Sequence, residues 1–297
     1  MTILFDQVFM RRLEQLSLVI RRIRGGRGQG EHRSQRRGVS VEFADYRDYT
    51  PGDDLRHLDW HIYARLERPF IKLFEEEEDL NLHVILDASG SMQWPEDDAA
   101  LNKWDFARRL AAALGYVALA GGDRLTVSQV QHDRAHTWPT RRGRGHIHTL
   151  LKYLNNLQAD GPTDLNKALT QLTVGASRRQ VSLVFVISDF FSEGYERGLA
   201  ALQSAGHEVN VLHLLSPDEL DPTLTGDLQL YDVETGMAQE VTVDADLRQL
   251  YQQKLTAWRE GIEQYCFSHD MNYLTLSTAQ PFESVMMSHL CQRGFVR

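Results

Sequence analysis

The sequence predicts an α/β protein built on a doubly wound, mostly parallel, Rossmann-like sheet with helices on both faces. Three observations carry that expectation. Residues 82–86, 181–187 and 208–215 are short apolar-rich runs, the pattern of strands covered on both sides. The stretches between them repeat apolar residues at helical spacing over about 10–15 residues each. Strands and helices alternate, which is how a parallel sheet is assembled from crossover units. A chain of 297 residues has room for one large or two small domains with a substantial core.

Taken in order, residues 3–24 place Leu4, Val8, Leu13, Leu16, Ile20 and Ile23 at near-helical spacing with arginines between them. A surface helix packed on the body is expected, with an amphipathic helix for a membrane surface or a partner as the alternative. Gly25-Gly26-Arg27-Gly28-Gln29-Gly30 follows as a flexible loop. It contains no Gly-Lys-Ser/Thr and so is not a phosphate-binding loop. Residues 11–37 hold nine arginines against Glu14 and Glu31, while the whole chain carries a net charge of −9. Residues 1–38 therefore read as a basic helix and arm on an acidic body, a polarity that points to an acidic partner. Arg33, Arg36 and Arg37 could meet phosphates, but no aromatic residues are interleaved with them, which counts against nucleic acid.

Residues 39–80 form a second segment, expected to pack on the body. Pro51-Gly52 marks a turn. His57, Asp59 and His61 would share one face of a strand and mimic a metal site. Salt bridges and hydrogen bonds among Arg47, Asp53, Asp54, Arg56, Asp59 and Arg65 are the preferred reading of the same residues. Residues 70–74 alternate like an edge strand. The five acids at 75–79 read as a solvated turn or as a docking surface for a basic partner.

Residues 81–297 make up the α/β domain. Strands are expected at 82–86, 124–130, 181–187, 208–215 and 273–276, with helices at 103–119, 146–156, 164–174, 195–204, 244–268 and 281–292. Alternating runs on either side of Glu234-Thr235-Gly236 predict a β-hairpin inserted at about 226–244.

In an open parallel sheet, ligands gather beyond the carboxyl ends of the strands. The first apolar run ends in Asp87-Ala88-Ser89-Gly90-Ser91, and residues 181–187 run into Ser188-Asp189. Thr163 stands at the entry of an intervening helix. Asp87, Ser89, Ser91, Thr163 and Asp189 thus offer two carboxylates and three hydroxyls, the hard oxygen donors that Mg²⁺ takes, with Mn²⁺ or Ca²⁺ as alternatives. With neutral hydroxyls binding directly and the two acids holding waters, the ion stays electrophilic toward a carboxylate from outside.

The same five residues resemble the metal-ion-dependent adhesion site of von Willebrand factor A domains. A more specific resemblance lies upstream, in Glu42-Phe43, Asp45, Arg47, Tyr49, Pro51-Gly52-Asp53-Asp54, Arg56, Asp59-Trp60 and Ala64-Arg65. Together with the hairpin and the long helix after it, these residues resemble the bacterial family called domain of unknown function family 58, over residues 20–292. The resemblance implies a von Willebrand factor A-like fold and, by association, a MoxR-type AAA+ ATPase as partner.

The expected function is therefore a non-enzymatic, metal-dependent protein-interaction module that binds a partner's Asp or Glu, an adaptor in protein maturation or complex assembly. A Mg²⁺-dependent hydrolase is one alternative. Position 89 is Ser where an aspartyl-phosphate enzyme wants a second Asp, and no histidine is placed as a general base. An anionic-surface or nucleic-acid binder acting through the arginine arm is the other. No apolar run reaches about 18 residues, so no membrane span is expected. The early charges of the N-terminus do not suit a signal peptide, and two cysteines fit a reducing compartment. A cytoplasmic protein is expected.

Overall fold

The structure is a computed structural model that describes residues 5–18, 41–76, 80–174, 182–232 and 236–296. The chain divides into two compact units, residues 1–23 with 80–297, and residues 24–79. In the first unit, helix α1 (Gln7–Leu13) starts at Asp6, whose carboxylate accepts the Phe9 N–H at 2.6 Å. The helix is shorter than the expected 3–24. It ends at Glu14, and Leu18 then forms an antiparallel bridge with Val296. Phe9 and Leu13 are already buried from the helix, and Leu18 is buried beside the bridge; that tertiary pairing outweighs local helix propensity. The rest of the expected helix and the arginine arm lie outside the described residues.

In the unit of residues 24–79, β1 (Val41–Asp48) precedes helix α2 (Trp60–Leu66), and β2 (Phe70–Glu76) returns antiparallel to β1 with a bulge between Phe43 and Asp45. His57, Asp59 and His61 do not share a strand face. Asp59 instead caps α2, accepting the N–H groups of His61 at 2.9 Å and Ile62 at 3.1 Å. The expected ion pairs form between Arg47 and Asp53 at 2.7 Å and between Arg56 and Asp54 at 2.5 Å, whereas Asp59 takes Lys72 at 3.0 Å.

These bonds set an acid limit. The Thr50 N–H and the Arg47 guanidinium hold Asp53 down at about 2; Lys72 and the Ile62 N–H hold Asp59 at about 2. Both pKa values lie below the ordinary 3.8. The stabilisation is therefore complete above about pH 4 and is lost as pH falls toward about 2. Amide protection of residues 60–66, corrected for intrinsic exchange, should fall across that window, and Asp59→Asn should flatten the profile. An identical profile in the variant would remove Asp59 as the cause.

The larger unit continues with β3 (Asn81–Asp87), α3 (Lys103–Gly121), β4 (Arg124–Gln131), β5 (Arg134–Arg142), α4 (Ile147–Asn156), α5 (Leu165–Thr173), β6 (Leu183–Ser188), α6 (Tyr195–Ser204), β7 (Glu208–Leu215) and α7 (Pro217–Leu220). Then come β8 (Gly226–Tyr231), β9 (Ala238–Val243), α8 (Ala245–Ser268) and β10 (Asn272–Ser277). A closing helical segment consists of Phe282–Ser284, a π turn at Val285–His289, and Leu290–Gln292. The main sheet has the order β10-β7-β6-β3-β4-β5. The first five strands run parallel, and β5, which the sequence pattern does not reveal, closes one edge antiparallel to β4.

Period-2 alternation splits each central strand between two cores. Leu82, Val84 and Leu86 of β3 and Leu183, Phe185 and Ile187 of β6 join the cluster packed with α1, α3 and α4. Ile85 of β3 and Val184 and Val186 of β6 face the other cluster, with α5, α6 and α8. Both faces are thus covered, as the apolar runs predict. The helices on the second face approach closely. A Cβ on Gly198 of α6 would stand 2.9 Å from Leu169 Cβ and 3.1 Å from the Asn166 Cα, neither of which can swing aside. Gly198→Ala should therefore destabilise by about 1–3 kcal/mol, read from urea unfolding. An unchanged midpoint would show that α5 and α6 can separate freely.

Candidate metal centre

The first part of the site follows from strand register. β3 and β6 are neighbours with Leu86 beside Ile187, so Asp87 and Ser188 leave the sheet side by side. The Ser188 hydroxyl donates to Asp87 Oδ2 at 2.6 Å, and the Ser89 N–H donates to Asp87 Oδ1 at 3.0 Å. Ser89 Oγ lies 3.0 Å from Ser91 Oγ. Ser89 starts a short 3₁₀ turn, Gly90–Gln93, without using its hydroxyl as a cap. Asp189 follows directly on β6. Phe190, next in line, adopts φ 57°, a left-handed conformation that is unfavourable for a bulky residue by roughly 1–2 kcal/mol. Its burial and its N–H bond to Ser188 Oγ at 2.9 Å hold it there.

Thr163 arrives on a third loop. That loop is fastened by Gly90 N–H to the Gly161 carbonyl at 2.7 Å, by Asp160 N–H to the Ala88 carbonyl at 3.0 Å, and by a bridge between Thr163 and His132. Gly161 has φ +69°, and a Cβ there would lie 3.1 Å from the His132 ring, so glycine suits the position twice over. A threonine at a helix entry ordinarily serves as an N-cap. Here Asp164 does that work, accepting the Lys167 N–H at 2.9 Å. Thr163 Oγ1 is left buried with no hydrogen-bond partner. The five sequence-predicted residues thus lie on three loops at one edge of the sheet. Asp87, Ser89, Thr163 and Asp189 are buried and Ser91 is partly open.

Sequence reasoning missed Lys103. It is fully buried at the first position of α3, with Nζ 2.6 Å from Asp189 Oδ2 and 2.5 Å from Glu219 Oε1. The Phe191 ring centroid lies 5.0 Å away. Glu219 is fixed in turn by a capping box at α7, its other oxygen accepting the Ser216 N–H at 2.7 Å. Burial pulls the Lys103 pKa down, but Asp189 and then Glu219 outweigh it, and the ammonium stays charged. One signal was available. A lysine in the first turn of an apolar helix opposes the helix dipole and needs a carboxylate partner.

Two buried or largely buried acids, Asp189 and Glu219, therefore face the ammonium, and a third, Asp87, lies near Asp189. Burial, and then the nearby Asp189 charge, push Asp87 up to about 7. Among the described residues no group of three His, Cys, Asp or Glu side chains is set to hold a metal. The set here is hydroxyl-rich. Its excess negative charge and the orphaned Thr163 oxygen fit a hard divalent cation, which takes oxygen ligands of this kind.

Among solved structures, BatB from Bacteroides thetaiotaomicron is similar at 14% identity and a TM-score of 0.44, covering 72% of this chain and 98% of that one. Proximal thread matrix protein 1 from the mussel byssus, in a form with a zinc-occupied MIDAS motif, is similar at 13% identity and a TM-score of 0.42, covering 74% and 48%. An uncharacterized protein of Mycobacterium tuberculosis is 29% identical over 252 residues, 84% of this chain and 78% of its own. The sheet order and the helices on both faces make this a von Willebrand factor A-like α/β fold. Since its family model runs from residue 45 to residue 261 and across every residue of the site, the family described as protein of unknown function DUF58 is the one to which this chain belongs.

Proposed function

We propose that the protein is a metal-dependent protein-interaction module acting in the cytoplasm. Asp87, Ser89, Ser91, Thr163 and Asp189 would hold a divalent cation, Mg²⁺ foremost. When bound, the cation offers an electrophilic position for the carboxylate of a partner's Asp or Glu. The chain's own residues prepare that position. Asp87 is oriented by Ser188 and the Ser89 N–H, Asp189 by Lys103, and the loops by the Gly90–Gly161 bond. The observation that carries this reading is the Thr163 hydroxyl, buried and unpartnered with no capping role to explain it, on a loop fastened to the Asp87 loop by the Gly90–Gly161 bond. An unsatisfied buried hydroxyl is unfavourable by about 1–3 kcal/mol, which a ligand would relieve.

The assembly that supplies the carboxylate is proposed to involve a MoxR-type AAA+ ATPase, with this chain as adaptor. Among the described residues no helix is long and apolar enough to cross a membrane. The test is calorimetric titration of the whole chain with Mg²⁺, followed by co-precipitation of the ATPase. Ser89→Ala and Asp189→Ala should each lose Mg²⁺ binding, and co-precipitation should fail in EDTA and in both variants. Capture that ignores EDTA and both substitutions would sink the metal-dependent part.

A further inference from the structure

Among the described residues, strands β8 and β9 pair only with each other. Their alternation is strongly two-sided. Leu228, Leu230, Val241 and Val243 share one face; Asp227, Gln229, Glu240 and Thr242 occupy the other. An isolated two-stranded hairpin is marginal in water and needs something to cover its apolar face. Behind that face lies a cavity of about 730 Å³, walled by Trp94, Leu230, Val241, Val243, Leu247 and Tyr251. The walls are only partly covered, with Trp94 and Leu230 each 43% exposed.

The cavity is continuous with the candidate metal centre. Ser91, one of the five oxygen donors, lines it, and so does Glu219, the second partner of Lys103. Tyr251 of α8 donates its hydroxyl to the Glu219 carbonyl at 2.6 Å, tying the cavity wall to the segment that holds Lys103. A ligand carboxylate at the centre therefore has an apolar chamber next to it. The volume falls in the range of ligand pockets, about 300–1,000 Å³, with room for more than one side chain.

We propose that this cavity is the specificity pocket of the interaction module: the partner is a peptide segment in which an Asp or Glu stands within two residues of a large apolar side chain. The acid occupies the metal centre and the apolar group fills the space between hairpin and α8. Residues one or two apart in an extended peptide place their side chains about 4–7 Å from one another along the chain, which matches a pocket that shares Ser91 with the centre. The apolar neighbour supplies what a lone carboxylate lacks, discrimination among the many acidic surfaces in a cell. This inference rests on the metal-binding reading above.

The test uses the whole chain in Mg²⁺ against a phage-displayed random heptapeptide library, with selected peptides synthesised and titrated. The expected sequences pair Asp or Glu with Leu, Ile, Phe or Met within two positions. Their affinity should fall at least tenfold in EDTA. It should also fall at least tenfold in Leu230→Asp, whose side chain is already part-exposed and whose Mg²⁺ affinity should match the wild type. Val241→Ala, a smaller change on the same face, should weaken binding in the same direction. Selection that enriches no acid–apolar pairing, or wild-type affinity in both variants, overturns the pocket while Mg²⁺ binding stands. Equal occupancy by octanoate, competing with the peptides at similar concentration, overturns the peptide assignment in favour of a carboxylic lipid. A chain that takes up no Mg²⁺ overturns the centre and the pocket together.

Discussion

Lys103→Met should lower the stability of the metal-free protein by about 3–5 kcal/mol, the usual effect of removing one partner of a buried ion pair. The size follows from where the ammonium sits. Its side chain is 0% exposed, and its partners Asp189 and Glu219 are 2% and 15% exposed. Methionine keeps the packing against Phe191 but leaves two acids without their cation. The same substitution should make the protein more responsive to divalent ions, because the site then holds one positive charge fewer. Urea unfolding with and without about 10 mM Mg²⁺ should show a larger gain in the variant than in the wild type, by the linkage between binding and folding. A midpoint unmoved by Lys103→Met, or equal Mg²⁺ gains in the two proteins, would show that Lys103 is not the counter-charge to the site.

Thr163→Val should separate folding from binding. The hydroxyl is buried without a partner, so an isosteric methyl removes a desolvated polar group and should leave the metal-free protein as stable or up to about 2 kcal/mol more stable. Mg²⁺ affinity should fall by tenfold or more in the same variant, since a proposed direct oxygen ligand is gone. Few structural residues behave this way, because a side chain retained for the fold costs stability when it is replaced. Destabilisation together with unchanged Mg²⁺ affinity would mean that Thr163 serves the loop rather than a ligand.

Most of the architecture was legible in the chain because the central strands are buried on both faces and so read as apolar runs. β6 and β7 are the clearest cases, buried along their length. Helices were legible where a cap coincides with periodicity, as at Asp164 before α5 and Asp244 before α8. β5 was not. Its residues, Arg134 to Arg142, are mostly exposed and include a proline, so neither an apolar run nor a clean alternation marks it. The bridge from Leu18 to Val296 was beyond reach for a different reason, since it joins residues from opposite ends of the chain. In the candidate site, the five oxygen donors were proposed from the sequence because each stands near a strand end or helix entry. Lys103 could not be placed from spacing, because its two acids come from segments 86 and 116 residues away.

The hairpin has one more property. Gly226 and Val243 face each other as the first and last residues of the paired strands, so the chain leaves the domain and returns to it at nearly one point. Among the described residues, no rung of the six-stranded sheet passes through it. A short glycine linker could replace residues 226–243 with little loop-closure penalty, since that penalty grows only with the logarithm of loop length. The segment thus has the connectivity of an exchangeable cassette. Other chains could carry longer, shorter or differently decorated versions on the same chassis, and a recognition surface could be transplanted between them without redesigning the core.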